Sequence, residues 1–185
     1  GNYWFEAPGW KEHLLHADTL NPVKGYSTTF INFSVDVNSD GWIDIIRFDQ
    51  PGAVCMWYEN PRNKAGLWKG HMILSTAGIE SPAFVDVDGD GKPDILLADK
   101  KQFVWYRNGD WKRFVMVDSL TEYDNVCIAS RDLDGDGKVE VAVGAQWNPG
   151  ETTDTSKSGS VHYLIRPKDP TQRWEAVELH HEPTV

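Results

Sequence analysis

Apolar residues fall in short runs along the whole chain, and turn-forming residues separate them. No window shows helical periodicity with caps at its ends. The runs carry Val, Ile, Phe, Trp and Tyr, the residues that fit a pleated, half-buried surface. One stretch reads as four strands: 84–85, 95–98, 103–106 and 111–117, with Gly, Asn and Asp at the breaks. The same pattern recurs. Trp57-Tyr58-Glu59-Asn60-Pro61 leads to Trp68-Lys69-Gly70-His71, and Trp105-Tyr106-Arg107-Asn108-Gly109 leads to Trp111-Lys112-Arg113-Phe114. Tyr3-Trp4-Phe5 leads through Pro8-Gly9 to Trp10-Lys11-Glu12-His13, and a looser copy runs from His162-Tyr163-Leu164 to Trp174.

One run in each unit differs from the rest. Ile45-Ile46, Ile95-Leu96-Leu97 and Val141-Ala142-Val143 are apolar at consecutive positions. A sheet with one wet face would alternate, so these runs predict strands covered on both faces. Each follows an acidic loop, and the loops begin at Asp36, Asp86 and Asp132, 50 and 46 residues apart. An all-strand repeat of that length predicts an all-β β-propeller of four-stranded antiparallel blades. About fourteen strands, or three and a half blades, are expected. The expected divisions are an outer half blade at 1–20, blades at 21–75 and 76–118, and a blade at 119–185 carrying an insertion at 146–160, all one propeller domain. Closed propellers typically have 4–8 blades. The missing inner strands are therefore expected from a longer parent chain or from a second copy, with seven blades in total.

The acidic loops carry the candidate chemistry. Oxygen side chains stand at positions 1, 3, 5 and 9, and Gly stands at 6. The sets are Asp36, Asn38, Asp40 and Asp44; Asp86, Asp88, Asp90 and Asp94; and Asp132, Asp134, Asp136 and Glu140. Trp42, Lys92 and Lys138 at position 7 would each offer a backbone carbonyl. All-oxygen ligation by several carboxylates suits Ca²⁺, whereas Zn²⁺ would want Cys or His. An EF-hand needs Glu at position 12. Arg47, Leu97 and Val143 stand there, which excludes it. Asn38 removes a charge from the first loop and Glu140 lengthens the last ligand of the third, so the middle loop is expected to bind most tightly.

These loops resemble the calcium loops of FG-GAP/VCBS repeats, found in integrin-α-like propellers. That resemblance implies up to three structural calcium ions, one per loop between the first two strands of a blade, and an extracellular or periplasmic setting. The Trp-Tyr-Glu-Asn-Pro and Trp-Lys-x-His elements also resemble the propeller of aldos-2-ulose dehydratase-like proteins.

Composition narrows the partners. A net charge of −10 argues against nucleic acid, and no stretch is apolar enough for membrane insertion. Eleven of the 28 acidic residues lie in the three loops, so three divalent cations would bring −10 to −4. Cys55 and Cys127 read as two buried free thiols. His13 and His71 share a repeat position with Phe114 and Val177, a packing position. His180-His181 lack a spaced third ligand. No Ser-His-Asp arrangement, phosphate loop or zinc pattern is visible, so catalytic residues are unknown. The expected function is a calcium-stabilised binding scaffold for carbohydrate or protein, with the 146–160 insertion as a candidate binding loop. The alternative is the propeller portion of a carbohydrate lyase or dehydratase, with its catalytic residues outside this segment or on face loops.

Overall fold

The computed structural model describes residues 2–17, 28–62, 64–78, 81–148, 150, 153–154 and 157–181. Among these, fourteen strands and no α-helix are found. The chain divides into two compact units, Gly1–Ala77 and Gly78–Val185.

The first unit opens with a hairpin of β1 (Tyr3–Glu6) and β2 (Lys11–Leu14), paired from Tyr3↔Leu14 to Glu6↔Lys11. A four-stranded antiparallel meander follows: β3 (Thr29–Val35), β4 (Asp44–Asp49), β5 (Cys55–Glu59) and β6 (Lys69–Leu74). Ile46, Phe48, Cys55 and Tyr58 form its buried centre. Phe33 meets Phe48 edge-on at 6.2 Å, one of the contacts that fills the interior of the sheet face.

The second unit holds two more sheets of the same order. One comprises β7 (Ala83–Val85), β8 (Asp94–Asp99), β9 (Gln102–Tyr106) and β10 (Arg113–Asp118). The other comprises β11 (Cys127–Arg131), β12 (Glu140–Ala145), β13 (Ser160–Ile165) and β14 (Glu175–His181). One core joins them, built from Leu96, Phe103, Trp105 and Met116 of the first sheet and Ile128, Val141, Val143, Leu164 and Trp174 of the second.

A backbone hydrogen bond recurs where consecutive sheets meet inside each unit. The amide of Trp68, just before β6, donates to the carbonyl of Leu15 after β2 at 2.9 Å. The amide of Trp174, just before β14, donates to Met116 in β10 at 2.9 Å. Leu15 and Met116 each stand five residues beyond a Trp with positive φ, Trp10 (53°) and Trp111 (51°). The repeated Trp-Lys element therefore marks the same turn in both units.

The three runs with consecutive apolar residues part company. In β8, Ile95, Leu96, Leu97 and Ala98 are all fully buried, so that strand is covered on both faces. In β4, Arg47 joins Ile46 and Phe48 in the interior. In β12, Val141 and Val143 are buried while Ala142 faces out, so only one face is covered among the described residues. Cys127 also departs from expectation. It opens β11, whose side chains alternate, and it lies on the exposed side, whereas Cys55 is buried.

Candidate metal centres

Each acidic loop connects the first and second strands of its sheet, and its fold is held by its own carboxylates. In the middle loop Asp86 accepts the amides of Gly89 (2.7 Å), Asp90 (3.1 Å) and Gly91 (2.8 Å). Asp88 accepts the amide of Asp90, and Asp90 accepts the amide of Lys92 at 2.9 Å. The third loop repeats this. Asp132 accepts Gly135 and Gly137, Asp134 accepts Asp136, and Asp136 accepts Lys138. In the first loop Asp36 accepts Asp40 and Gly41, Asn38 accepts Asp40, and Asp40 accepts Trp42. The chain thus curls around the side chains at 1, 3 and 5. Gly at position 6 takes φ of 86°, 84° and 80° at Gly41, Gly91 and Gly137, a backbone shape that costs other residues energy.

The curl brings carboxylates together. Oxygens of Asp86, Asp88 and Asp90 lie within 4.8 Å of one another, as do those of Asp132, Asp134 and Asp136. Oxygens bound to one Ca²⁺ at about 2.4 Å can stand no more than about 4.8 Å apart. The donors are all oxygen, and the spacing suits a hard cation at positions 1, 3 and 5.

Position 9 also binds backbone amides. Asp44 and Asp94 are fully buried. Asp94 accepts the amide of Val87 on one oxygen and the amide of Asn108 on the other, each at 2.8 Å. Asp44 accepts Val37 (3.1 Å) and Asn60 (2.8 Å) in the same way. Both clamp the start of the loop to the connection after the third strand. Burial pushes the Asp94 carboxyl up to about 6, against the lowering pull of its two amide donors. Burial raises Asp44 too. Glu140 is longer and less buried, and it accepts the amide of Leu133 at 2.6 Å.

Two groups of residues at these loops escaped the sequence reading. Asn60 and Asn108 feed their amides to position 9, and their side chains donate back to the carbonyls of Ile43 and Pro93. The signal was present as Tyr58-x-Asn60 and Tyr106-x-Asn108 at one repeat register. The second is Arg62, whose guanidinium grips Asp40 at 3.0 and 2.6 Å and holds its carboxyl below the ordinary range. In the other loops the position-7 lysines approach position 5. Lys138 pairs with Asp136 and lowers it, and Lys92 stands 3.9 Å from Asp90.

The remaining candidates are placed as follows. His13 stacks on Trp4 at 4.4 Å and His71 on Trp57 at 4.4 Å, each bonded to a Glu, while Phe114 stacks on Trp105 at 4.6 Å. The shared position packs an aromatic ring in all three. The side chains of His180 and His181 lie outside the described residues, as does part of the 146–160 loop. Trp147 in that loop is half exposed, and its amide donates to Asp124 at 2.9 Å. No helix is long and apolar enough to cross a membrane among the described residues.

Repeated four-stranded antiparallel sheets, each with an acidic loop between its first two strands, define a propeller-type repeat protein. The FG-GAP-like repeat family matches residues 36–97 and again 86–143, more than half of the chain, and the chain belongs to that family. Comparison with curated proteins finds no match, so the likeness to aldos-2-ulose dehydratase-like propellers has no support there.

Proposed function

We propose that this chain is a calcium-stabilised propeller segment that serves as an extracellular binding scaffold. The observation that carries the reading is the coupling of the middle loop to its blade. Asp86, Asp88 and Asp90 gather at that loop, and the buried Asp94 pins the same loop to the far end of the third strand; Asp44 makes the same pin in the first loop. Several carboxylates held together repel one another, which opposes folding. A bound cation would offset that repulsion, so metal affinity becomes folding stability.

The residues to hold it are Asp86, Asp88 and Asp90 in the middle loop and Asp132, Asp134 and Asp136 in the third, with the position-7 carbonyls of Lys92 and Lys138. Asp36, Asn38, Asp40 and the carbonyl of Trp42 form the first set. Asp44, Asp94 and Glu140 complete the three sets at position 9 and also accept backbone amides. Extracellular modules of this kind work at roughly 10⁻⁴–10⁻³ M calcium, which fits secretion. A rigid core presents the loops of one face to a carbohydrate or protein ligand.

The test is a thermal melt after verified metal removal. Chelation is expected to lower the transition, and calcium, but not an equal concentration of magnesium, to restore it. An unchanged transition in metal-free protein would overturn the structural role of calcium.

A further inference from the structure

The aromatic position that recurs through the repeats is closed in one place and open in another. In the second unit Trp105 is fully buried, and its indole Nε1 donates to the carbonyl of Pro170 at 3.2 Å. The segment before β14 covers that ring. In the first unit the corresponding Trp4 is only half buried. Pro61 and residues 64–67, which precede β6, stand off it and enclose a cavity of about 690 Å³.

The walls of the cavity combine two kinds of surface. Trp4 and Trp68 lie 6.1 Å apart at 56°, and Leu67 is 52% exposed beside them. His13 covers one face of the Trp4 ring, and Glu6 holds His13 at 2.8 Å, so the indole is fixed in one orientation. Glu6, Asn60 and Lys64 supply polar groups on the same walls. A second cavity of about 420 Å³ shares Asn60, Pro61, Lys64 and Leu67 with the first, so the two form one groove. Its own charged lining includes Glu59, Lys69 and Arg62, the last already paired with Asp40. With Arg62 neutralised by Asp40, Glu6 and Glu59 balance Lys64 and Lys69, and the groove has no net formal charge.

Rigid indoles beside a few convergent polar groups, in a concave space of this size, are suited to a small ligand and not to a flat protein face. A ligand with an apolar ring face, hydroxyls at its rim and no net charge matches these walls. We propose that the groove bounded by Trp4, Trp68, Leu67 and Lys64 binds a neutral oligosaccharide of at least two pyranose rings, one of them stacked on the Trp pair. This deepens the scaffold reading and rests on it for the claim that ligand binding is what the chain does.

The test titrates the whole chain, in calcium, with neutral hexasaccharides of glucose, mannose, xylose and galactose and with a hexauronide, following tryptophan fluorescence and heat. One neutral sugar is expected to bind, and Trp4→Ala to weaken it at least about tenfold. Leu67→Lys, at an exposed site that costs the core nothing, is expected to block it even if Trp4→Ala fails to fold. Trp147→Ala is expected to leave affinity within about twofold. Binding lost with Trp147→Ala but kept in Leu67→Lys would move the site elsewhere and overturn the groove while leaving the scaffold standing. A preference for the hexauronide would overturn the charge argument. No binding by any sugar, in protein whose calcium-dependent melt is intact, would overturn the proposal alone. Sugar binding without a calcium-dependent melt would instead remove the calcium reading and keep the groove.

Discussion

The sheets β3–β6 and β7–β10 share strand order, loop register and a buried Asp clamp, yet they balance charge differently. The second sheet gathers three aspartates, and the nearest cationic group is Lys92 at 3.9 Å from Asp90. The first has Asn38 in the middle of its trio and Arg62 seated on Asp40. One loop holds three carboxylates with no internal cation seated on them. The other has one carboxylate fewer and an internal cation. The shared clamp explains why both loops keep the same shape despite this.

The clamp offers the strongest way to break the comparison. Asp94→Ala leaves the buried amides of Val87 and Asn108 without their acceptor, and Asp44→Ala does the same to Val37 and Asn60. Each should cost roughly 2–5 kcal/mol in urea denaturation. A loss below about 1 kcal/mol in either would show that the loops are held by something else.

Cation affinity should then separate the two sheets. The middle loop is expected to bind calcium more tightly than the first, read by calorimetry on variants that keep one loop at a time. Asn38→Asp and Arg62→Gln should each strengthen the first loop by about twofold to fivefold, since the one adds a carboxylate and the other removes a competing cation from an exposed site. Equal affinities in the unaltered loops would remove the distinction.

Backbone shape gives a smaller effect. Ser39 holds φ of 57° where the second loop has Gly89 at 85°. Ser39→Gly should stabilise the protein by about 0.5 kcal/mol, because relief of left-handed strain outweighs the added freedom of the unfolded chain. Gly89→Ala should destabilise by about 1 kcal/mol. Matching signs in the two melts would refute the strain argument.

The smallest effect lies at the ends of the third strands. Glu59 pairs with His71 in the first sheet, whereas Arg107 pairs with Asp110 in the second. The Arg107 guanidinium and the amide of Lys112 hold Asp110 at about 2, below its ordinary 3.8. A depressed carboxyl adds stability above the unfolded value and loses it as pH falls through about 2. Carbon-detected NMR should place the Asp110 midpoint near that value and move it up in Arg107→Gln. Because the pair is exposed, overall stability should barely change.

Strand number, strand order and loop register were legible because they rest on local signals. Apolar runs, turn residues and a fixed acidic spacing each act within a few residues. What was hidden depends on distance or direction. Arg62 reaches Asp40 across 22 residues from a connection with no repeat counterpart. Asp44 and Asp94 fall at the last ligand position, and spacing does not reveal that their oxygens also accept backbone amides. Ala142 and Cys127 looked interior from their neighbours, and the side chain of each faces out along an alternating strand. Trp4 and Trp105 carry the same local motif, and only the connection before the next fourth strand decides which is covered.

The bonds from Trp68 to Leu15 and from Trp174 to Met116 use only main-chain atoms. A connector of that kind makes no demand on the side chains it joins. One repeat can therefore diverge in loop charge, aromatic cover or ligand without spoiling the fit to its neighbour. Duplicated copies are free to specialise away from the shared core, because this part of the joint between them is made by the peptide backbone.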